Sequence, residues 1–197
     1  MSTDSLSPGP ELPSVWLHEL TWEEVAAYLR VRDTILVPFG TTEQHGPAGP
    51  LGLDGYVAIA LAEDAARKAG VLTAPPVWYG DSSHHLGFPG TISLRTETLV
   101  QLVYDIVRSL ARHGFRRILL INGHGSNTPL VDLVARKTVL ETDSLCAALN
   151  YYHLGVEAFN AVKQTPVMAH ADEFETSLYL HLAPERVRMD KAVADND

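Results

Sequence analysis

Cysteine is nearly absent from this sequence: Cys146 is the single one among 197 residues. One cysteine excludes an intrachain disulfide framework and a zinc site built from thiolates, and it fits a reducing compartment. The sequence also lacks the basic start and apolar core of a signal peptide, and no segment approaches the ~18 consecutive apolar residues of a membrane span. These absences predict a cytoplasmic protein with no membrane partner.

Basic residues are also scarce. The chain has 15 Lys and Arg against 24 Asp and Glu, for a formal net charge of −9. Nucleic acid or an anionic membrane would repel such a protein unless it carried a local basic patch. The one dense basic stretch, "RHGFRR" at 112–117, is too short to supply that patch. The composition therefore excludes nucleic acid as a partner.

The chain has the length of one domain, and its 46% hydrophobic content is enough for a sizeable core. Residues 1–14 are rich in Ser and Pro without periodicity, which predicts a flexible N-terminal arm before a single domain over 15–197. Apolar runs predict strands at "TILVPFG" (34–40), "VLTAPPVWYG" (71–80), "RRILLING" (116–123) and "SLCAALNY" (144–151).

Helical patterns lie between these strands. A capping box at Thr21 and Glu24 opens the first helix, Gly70 ends the second, and a long helix runs from a Thr96 cap to Gly114. Two more helices are predicted at about 129–142 and at 174–182, with a loop before the last. Repeated alternation of strand and helix predicts an α/β fold, a three-layer α/β/α sandwich with a mainly parallel sheet.

Chemically active side chains follow the predicted strands. Glu43, His45 and Asp54 come after the first apolar run, His124 follows "RRILLING", and "HADEFETS" (170–177) precedes the last helix. Ligands of open parallel sheets bind beyond the carboxyl ends of the strands. Carboxylate oxygens and imidazole nitrogens without thiolates suit Zn, Mn or Fe, and a cation would relieve the repulsion between crowded carboxylates. Spacing alone leaves open a loop of solvated polar residues.

Four stretches in order carry a specific resemblance: "VPFGTTEQHGPAGPLGLD", "HHLGFPGTISL", "LARHGFRRILLINGHGSN" and "HADEFETSLYL". Together they resemble the creatininase family of metallohydrolases, over residues 16 to 190. The resemblance implies a creatininase-like α/β/α sandwich with two divalent metal ions per chain, Zn, Mn or Fe. It also implies hydrolysis of a small cyclic amide-type C–N bond and a homo-oligomer, usually a hexamer.

The resemblance assigns ligands residue by residue. Glu43, Asp54 and His124 match the ligands of one metal, and His45 with the shared Asp54 matches ligands of the other. Creatininase itself has a glutamate where this chain has Ser126. Relatives with Gly there carry a later "HAGE" motif, whose glutamate matches Glu173. The resemblance therefore predicts Glu173 as the replacement ligand, with Asp172 or Glu175 as the alternatives.

His170 matches the family's catalytic histidine, which donates a proton to the leaving group. For substrate binding we assign His84, His85, Asp172 and Trp78. Each has a plainer interpretation: the histidines as part of a polar loop, Asp172 as a solvated side chain, and Trp78 as a core aromatic.

Two departures from the family pattern bear on the substrate and on the extent of the domain. Ala48 replaces a histidine that often lines the substrate site, so we expect creatinine to be a poor substrate. The chain ends at Asp197, whereas relatives continue, so we expect the family's C-terminal segment to be missing. A C–C bond hydrolase acting on a cyclic keto-polyol, of the inositol catabolism type, stays open. So does a degenerate member that binds a metal or ligand without turnover.

Overall fold

Four parallel strands form the sheet of the computed structural model, which describes residues 12–166 and 169–193. The strands are β1 (Thr34–Phe39), β2 (Leu72–Thr73), β3 (Arg117–Asn122) and β4 (Leu145–Asn150), in the order β2-β1-β3-β4. The register aligns the last residues of three strands, because Phe39 pairs with Asn122 and Asn122 pairs with Asn150. The loops that follow β1, β3 and β4 therefore leave the sheet side by side.

The sheet carries helices on both faces. They are α1 (Trp22–Leu29), α2 (Leu53–Ala69), α3 (Thr96–His113), α4 (Thr128–Glu141), α5 (Val156–Val162) and α6 (Glu173–Leu182). Alternation along β1 divides the core: Ile35 and Val37 pack with α3 and α4, while Leu36 packs against the alanines of α2. The predicted three-layer α/β/α sandwich is confirmed.

Three local predictions need correction. The strand predicted over 71–80 is paired as a strand only at Leu72–Thr73, because Pro75 and Pro76 follow and proline cannot donate to a ladder. Thr96 is the first residue of α3, and its N-cap is Arg95. The loop expected before the last helix contains α5.

The capping box that opens α1 is confirmed. The Thr21 side chain accepts a hydrogen bond from the backbone of Glu24, and the Glu24 carboxylate accepts one from the Thr21 N–H at 2.7 Å. Residues 1–11 of the predicted arm lie outside the described residues. None of the described helices is long and apolar enough to cross a membrane.

Close backbone contacts hold the start of α2 against the ends of β1 and β3. A Cβ added at Gly123 would lie 2.2 Å from the Asp54 carbonyl oxygen, and one at Gly40 would lie 2.4 Å from the Cα of Gly55. Glycine is required at both strand ends because the backbone of α2 occupies the space of a side chain. This approach places Asp54, in the first turn of α2, beside the loops that leave the sheet.

We therefore expect Gly123→Ala to displace α2 and to destabilise the protein by about 2 kcal/mol or more, which corresponds to a loss of about 5 °C in Tm. Gly87→Ala is the matched control, because a Cβ at Gly87 meets nothing within 4 Å. Thermal unfolding of the two variants checks this. Equal melting temperatures for both would contradict the role given to the close approach.

Candidate metal centre

Four buried side chains from three segments meet where β1 and β3 end. Glu43 and His45 lie in the loop after β1, Asp54 lies in the first turn of α2, and His124 follows β3. Their exposed fractions are 0% for Glu43, 3% for His45, 1% for Asp54 and 5% for His124. Two carboxylates and two imidazoles are thus withdrawn from water together.

Asp54 lies between the two histidines. Its Oδ1 is 2.9 Å from His45 Nε2, and its Oδ2 is 3.0 Å from His124 Nδ1. Glu43 Oε1 is 3.3 Å from the same nitrogen of His124. Among the described residues, four groups of three side chains could hold a cation, and two of them combine Glu43 with His45 and His170 or with His84 and His85. The other two are Glu43, Asp54 and His124, and His45, Asp54 and Glu175. Both groups contain Asp54.

Backbone carbonyls fix the orientation of both imidazoles. His45 Nδ1 lies 3.1 Å from the Glu43 carbonyl oxygen, and His124 Nε2 lies 2.9 Å from that of Asp81. A carbonyl only accepts, so these nitrogens carry the protons, and the opposite nitrogens face the carboxylates. Histidine ligands of metals are held in this way. The buried side chain of Asn127 in turn holds the Asp81 segment, accepting from the Asp81 N–H at 3.0 Å and donating to the Gly40 carbonyl at 3.2 Å.

Among the described residues, only histidines compensate the carboxylates of this cluster. Neither oxygen of Glu43 has a hydrogen-bond partner, and burial raises the pKa of Glu43. Burial also acts to lower the pKa of His45, but its hydrogen bond and charge interaction with Asp54 outweigh burial and raise it to about 9. Asp54 therefore favours the protonated, positively charged form of His45. A bound cation would supply the same neutralising charge directly.

Glu173 does not join the cluster. Its carboxylate accepts hydrogen bonds from the backbone N–H groups of Gln164 and Thr165, both at 2.8 Å, and lies outside every candidate ligand group of the described residues. Glu175 does belong to one of these groups. Its Oε2 lies 3.8 Å from His45 Nε2 and 2.6 Å from the Ala171 backbone nitrogen. Burial, with the nearby charge of Asp54, raises the pKa of Glu175 to about 7. The geometry favours the alternative carboxylate over the one predicted.

His170 and His85 face Glu43 from the outer side of the cluster. His170 Nδ1 lies 3.4 Å and His85 Nε2 lies 3.8 Å from Glu43 Oε1. The second nitrogen of His170, Nε2, donates to the Gln44 carbonyl at 2.7 Å. Burial and the charges of His45 and His85 lower the pKa of His170 to about 4, so the ring is neutral near pH 7 and its Nδ1 is unprotonated.

Gln44 is a site residue that sequence reasoning missed. Its side-chain oxygen accepts from the Gly46 N–H at 2.8 Å, which points its amide nitrogen at His85 Nδ1, 3.1 Å away. One residue thus orients both outer histidines. No residue pattern signals this role, because the contact from Gln44 to His170 spans 126 positions.

A cavity of about 390 Å³ opens beside the cluster. Its lining includes His84, Ser126, His170 and Glu175, and His84 stacks parallel to His124 with ring centroids 6.2 Å apart. The cavity therefore lies against His124 of the cluster and against Glu175.

Asp172 and Trp78, which we assigned to substrate binding, are not among the residues that line this cavity, and neither is Ala48. Asp172 is the N-cap of α6 and accepts from the Glu175 and Ala169 backbone nitrogens, so its carboxylate is already used. The Trp78 ring packs on Gly55, where an added Cβ would be 2.6 Å away. Ala48 does not line the cavity; its carbonyl accepts from the Arg188 N–H at 3.0 Å. The expectation drawn from Ala48, that creatinine is a poor substrate, stays a prediction.

Comparison with known proteins shows the family of this chain. The family model Creatininase, described as creatinine amidohydrolase, matches residues 18–197. The chain belongs to the creatininase family. A solved creatinine amidohydrolase (creatininase) is 32% identical with a TM-score of 0.82, over 93% of this chain and 78% of that one. A manganese form of creatininase is 33% identical with a TM-score of 0.81, over 92% and 78% of the two chains.

Curated relatives within the creatininase family are hydrolases of different kinds. The chain is 33% identical to a 3-dehydro-scyllo-inosose hydrolase of Thermotoga maritima, over 91% of this chain and 60% of that protein. It is 34% identical to a creatinine amidohydrolase of Pseudomonas putida, over 91% and 76%. It is 36% identical to a mycofactocin precursor peptide peptidase of Mycolicibacterium smegmatis, over 82% and 63%. The chain thus spans about 60% to 76% of the length of these three relatives.

We expect Glu175→Gln to weaken retention of one cation by on the order of tenfold or more, because an amide lacks the charge of a carboxylate ligand. Glu173→Gln is the matched control two residues away, and it should retain as much metal as the wild type. Elemental analysis after dialysis against zinc or manganese measures both. Loss of metal in Glu173→Gln with full retention in Glu175→Gln would restore the prediction made from sequence.

Proposed function

We propose that this creatininase family member is a hydrolase that uses two divalent cations, Zn, Mn or Fe, against a small-molecule substrate. Glu43, Asp54 and His124 would hold one cation, and His45, Asp54 and Glu175 the other. The observation that carries the proposal is the buried carboxylate of Glu43, with histidines as its ion-pair partners, beside an Asp54 that two of the candidate ligand groups share.

The donor set fits such cations. Oxygen and imidazole nitrogen ligands without thiolate suit zinc, manganese and iron. A buried carboxylate without partners is strongly disfavoured unless positive charge compensates it. The manganese creatininase and a zinc-zinc form of a creatininase variant, 33% identical with a TM-score of 0.83 over 93% of this chain and 78% of that one, support this choice of metals.

The chain's own residues would manage the proton during hydrolysis. Cations of this kind, when bound, lower the pKa of a coordinated water toward neutrality. His170 lies on the cavity wall with Nδ1 directed at Glu43 and Nε2 held by Gln44. His170 Nδ1 would take up a proton from the attacking water and donate it to the leaving atom. Gln44 would keep the ring in the tautomer that this role requires.

The substrate proposed first is a small cyclic amide, cleaved at its C–N bond. The name of the Pseudomonas putida relative supports that reaction. A cyclic keto-polyol cleaved at a C–C bond is the second candidate, supported by the name of the Thermotoga maritima relative. A family member without turnover is the third. A panel of cyclic amides and cyclic keto-polyols, assayed with zinc- or manganese-loaded protein, separates the three.

His170→Gln tests the proton-transfer role. We expect kcat on the best panel substrate to fall by about 10²- to 10⁴-fold, while elemental analysis finds the metal content of the wild type. Wild-type turnover in this variant would contradict the role. Absence of any turnover by metal-loaded wild type across the panel would contradict the proposed hydrolase.

A homo-oligomer, a hexamer by analogy with the family, is proposed as the assembly, and the cytoplasm as the compartment. Light scattering coupled to size exclusion measures the assembly directly. A monomeric mass at micromolar concentration would contradict it.

A further inference from the structure

Two buried asparagines lie side by side where β3 and β4 end. Asn122 is the last residue of β3, Asn150 is the last residue of β4, and the two are paired in the sheet. Asn122 is 0% exposed and Asn150 is 7% exposed. Asparagine is disfavoured in strands, and a buried amide is costly unless its hydrogen bonds are made. The partners of these two side chains therefore indicate why they are there.

The Asn122 side chain holds both polar groups of the His124 backbone. Its Oδ1 accepts from the His124 N–H at 3.2 Å, and its Nδ2 donates to the His124 carbonyl at 2.7 Å. That carbonyl also accepts from the Asn127 N–H at 3.2 Å. Among the described residues, Asn122 is the only partner of the His124 N–H. The turn from β3 to His124 therefore depends on this one amide.

A second set of contacts fixes the orientation of the Asn122 amide. Its Nδ2 also donates to Asn150 Oδ1 at 2.7 Å, and the same oxygen of Asn150 accepts from Thr128 Oγ1 at 3.0 Å. The reversed amide would place Nδ2 against the His124 N–H and Oδ1 against the His124 carbonyl, so both bonds to His124 require the present orientation. The amide of Asn122 is therefore held, and the backbone of His124 with it.

The position of the His124 backbone matters because its ring belongs to the candidate metal centre. His124 Nδ1 lies 3.0 Å from Asp54 Oδ2 and 3.3 Å from Glu43 Oε1. The Asp81 carbonyl holds the other ring nitrogen, as described above, but it does not hold the backbone from which the ring projects. Groups that orient a metal ligand typically change metal affinity by about 10- to 100-fold when they are removed.

We propose that Asn122 is a positioning residue: its side chain fixes the backbone of His124 and thereby directs His124 Nδ1 at Asp54 and Glu43. The effect on cation binding rests on the proposed function, whereas the placement of His124 does not depend on it. Asn150 and Thr128 support the role, because they hold the Asn122 amide in the orientation that it requires.

Asn122→Ala removes both bonds to His124 and the bond to Asn150. Titration of the metal-free variant with zinc alone should show one of two zinc ions bound about tenfold or more weakly than by the wild type. With cobalt in place of zinc, the visible absorption spectrum should change, because it follows the arrangement of the ligands. Either wild-type zinc affinity or a wild-type cobalt spectrum in this variant would overturn the proposal.

Ser144→Ala is the matched control, because it also removes a buried hydrogen bond. Ser144 is 3% exposed, donates to the Phe115 carbonyl at 2.8 Å and precedes β4, at the opposite end of the sheet from the centre. This variant should melt below the wild type and keep the wild-type zinc affinity and cobalt spectrum. An equal loss of zinc affinity in Ser144→Ala would attribute the effect to lower stability and overturn the positioning role.

Thr128→Val takes the place of Asn122→Ala if that variant does not fold. It removes the hydroxyl that donates to Asn150 and leaves the Asn122 side chain in the protein. One zinc ion should then bind more weakly than in the wild type, because the Asn122 amide has lost its support. Wild-type zinc affinity in Thr128→Val would in that case overturn the proposal.

The two proposals can fail separately. A wild-type protein that binds no zinc would contradict the proposed function. Crystal structures of the metal-free wild type and of Asn122→Ala still test the positioning role in that case. His124 Nδ1 should lie farther from Asp54 Oδ2 in the variant than the 3.0 Å of the wild type, and an unchanged distance would overturn the role.

Discussion

Burial of two carboxylates without a basic side chain beside them is the constraint on which the rest of this site depends. Among the described residues, the ion-pair partners of Glu43 and Asp54 are histidines. Histidine is weakly basic, so it compensates buried charge less completely than Arg or Lys would. Glycines at two strand ends allow α2 to come close enough to bring Asp54 there. The close contact of the α2 backbone with the ends of β1 and β3 therefore shapes both the fold and the site.

An outer layer of carbonyls and amides gives the histidines their direction. The Glu43 and Asp81 carbonyls turn His45 and His124 toward the carboxylates, while Gln44 turns His170 and His85 toward Glu43. These contacts hold the rings in defined tautomers without adding charge. The cavity beside them, lined by His124, His170 and Glu175, then supplies a place where a small molecule would meet this centre.

Most of the fold and the inner part of the cluster could be predicted from the sequence. Apolar runs located β1 and β3, and the polar residues directly after them meet because parallel strands end at one edge. The placement of Glu175, and not Glu173, near the buried side of α6 could also have been predicted. Residues two positions apart on a helix lie about 200° apart around its axis, and Phe174, Leu178 and Tyr179 mark the buried face next to Glu175. The roles of Trp78 and Gln44 could not be predicted, because they depend on contacts between residues that are distant in the sequence.

The central claim is that these side chains bind two cations that share Asp54. Anomalous diffraction from crystals of the protein loaded with zinc or manganese tests it most directly. The account predicts two anomalous peaks, both within bonding distance of Asp54, one ligated by Glu43 and His124 and the other by His45 and Glu175. Absence of anomalous density at the cluster, or a second peak ligated by Glu173, would contradict it.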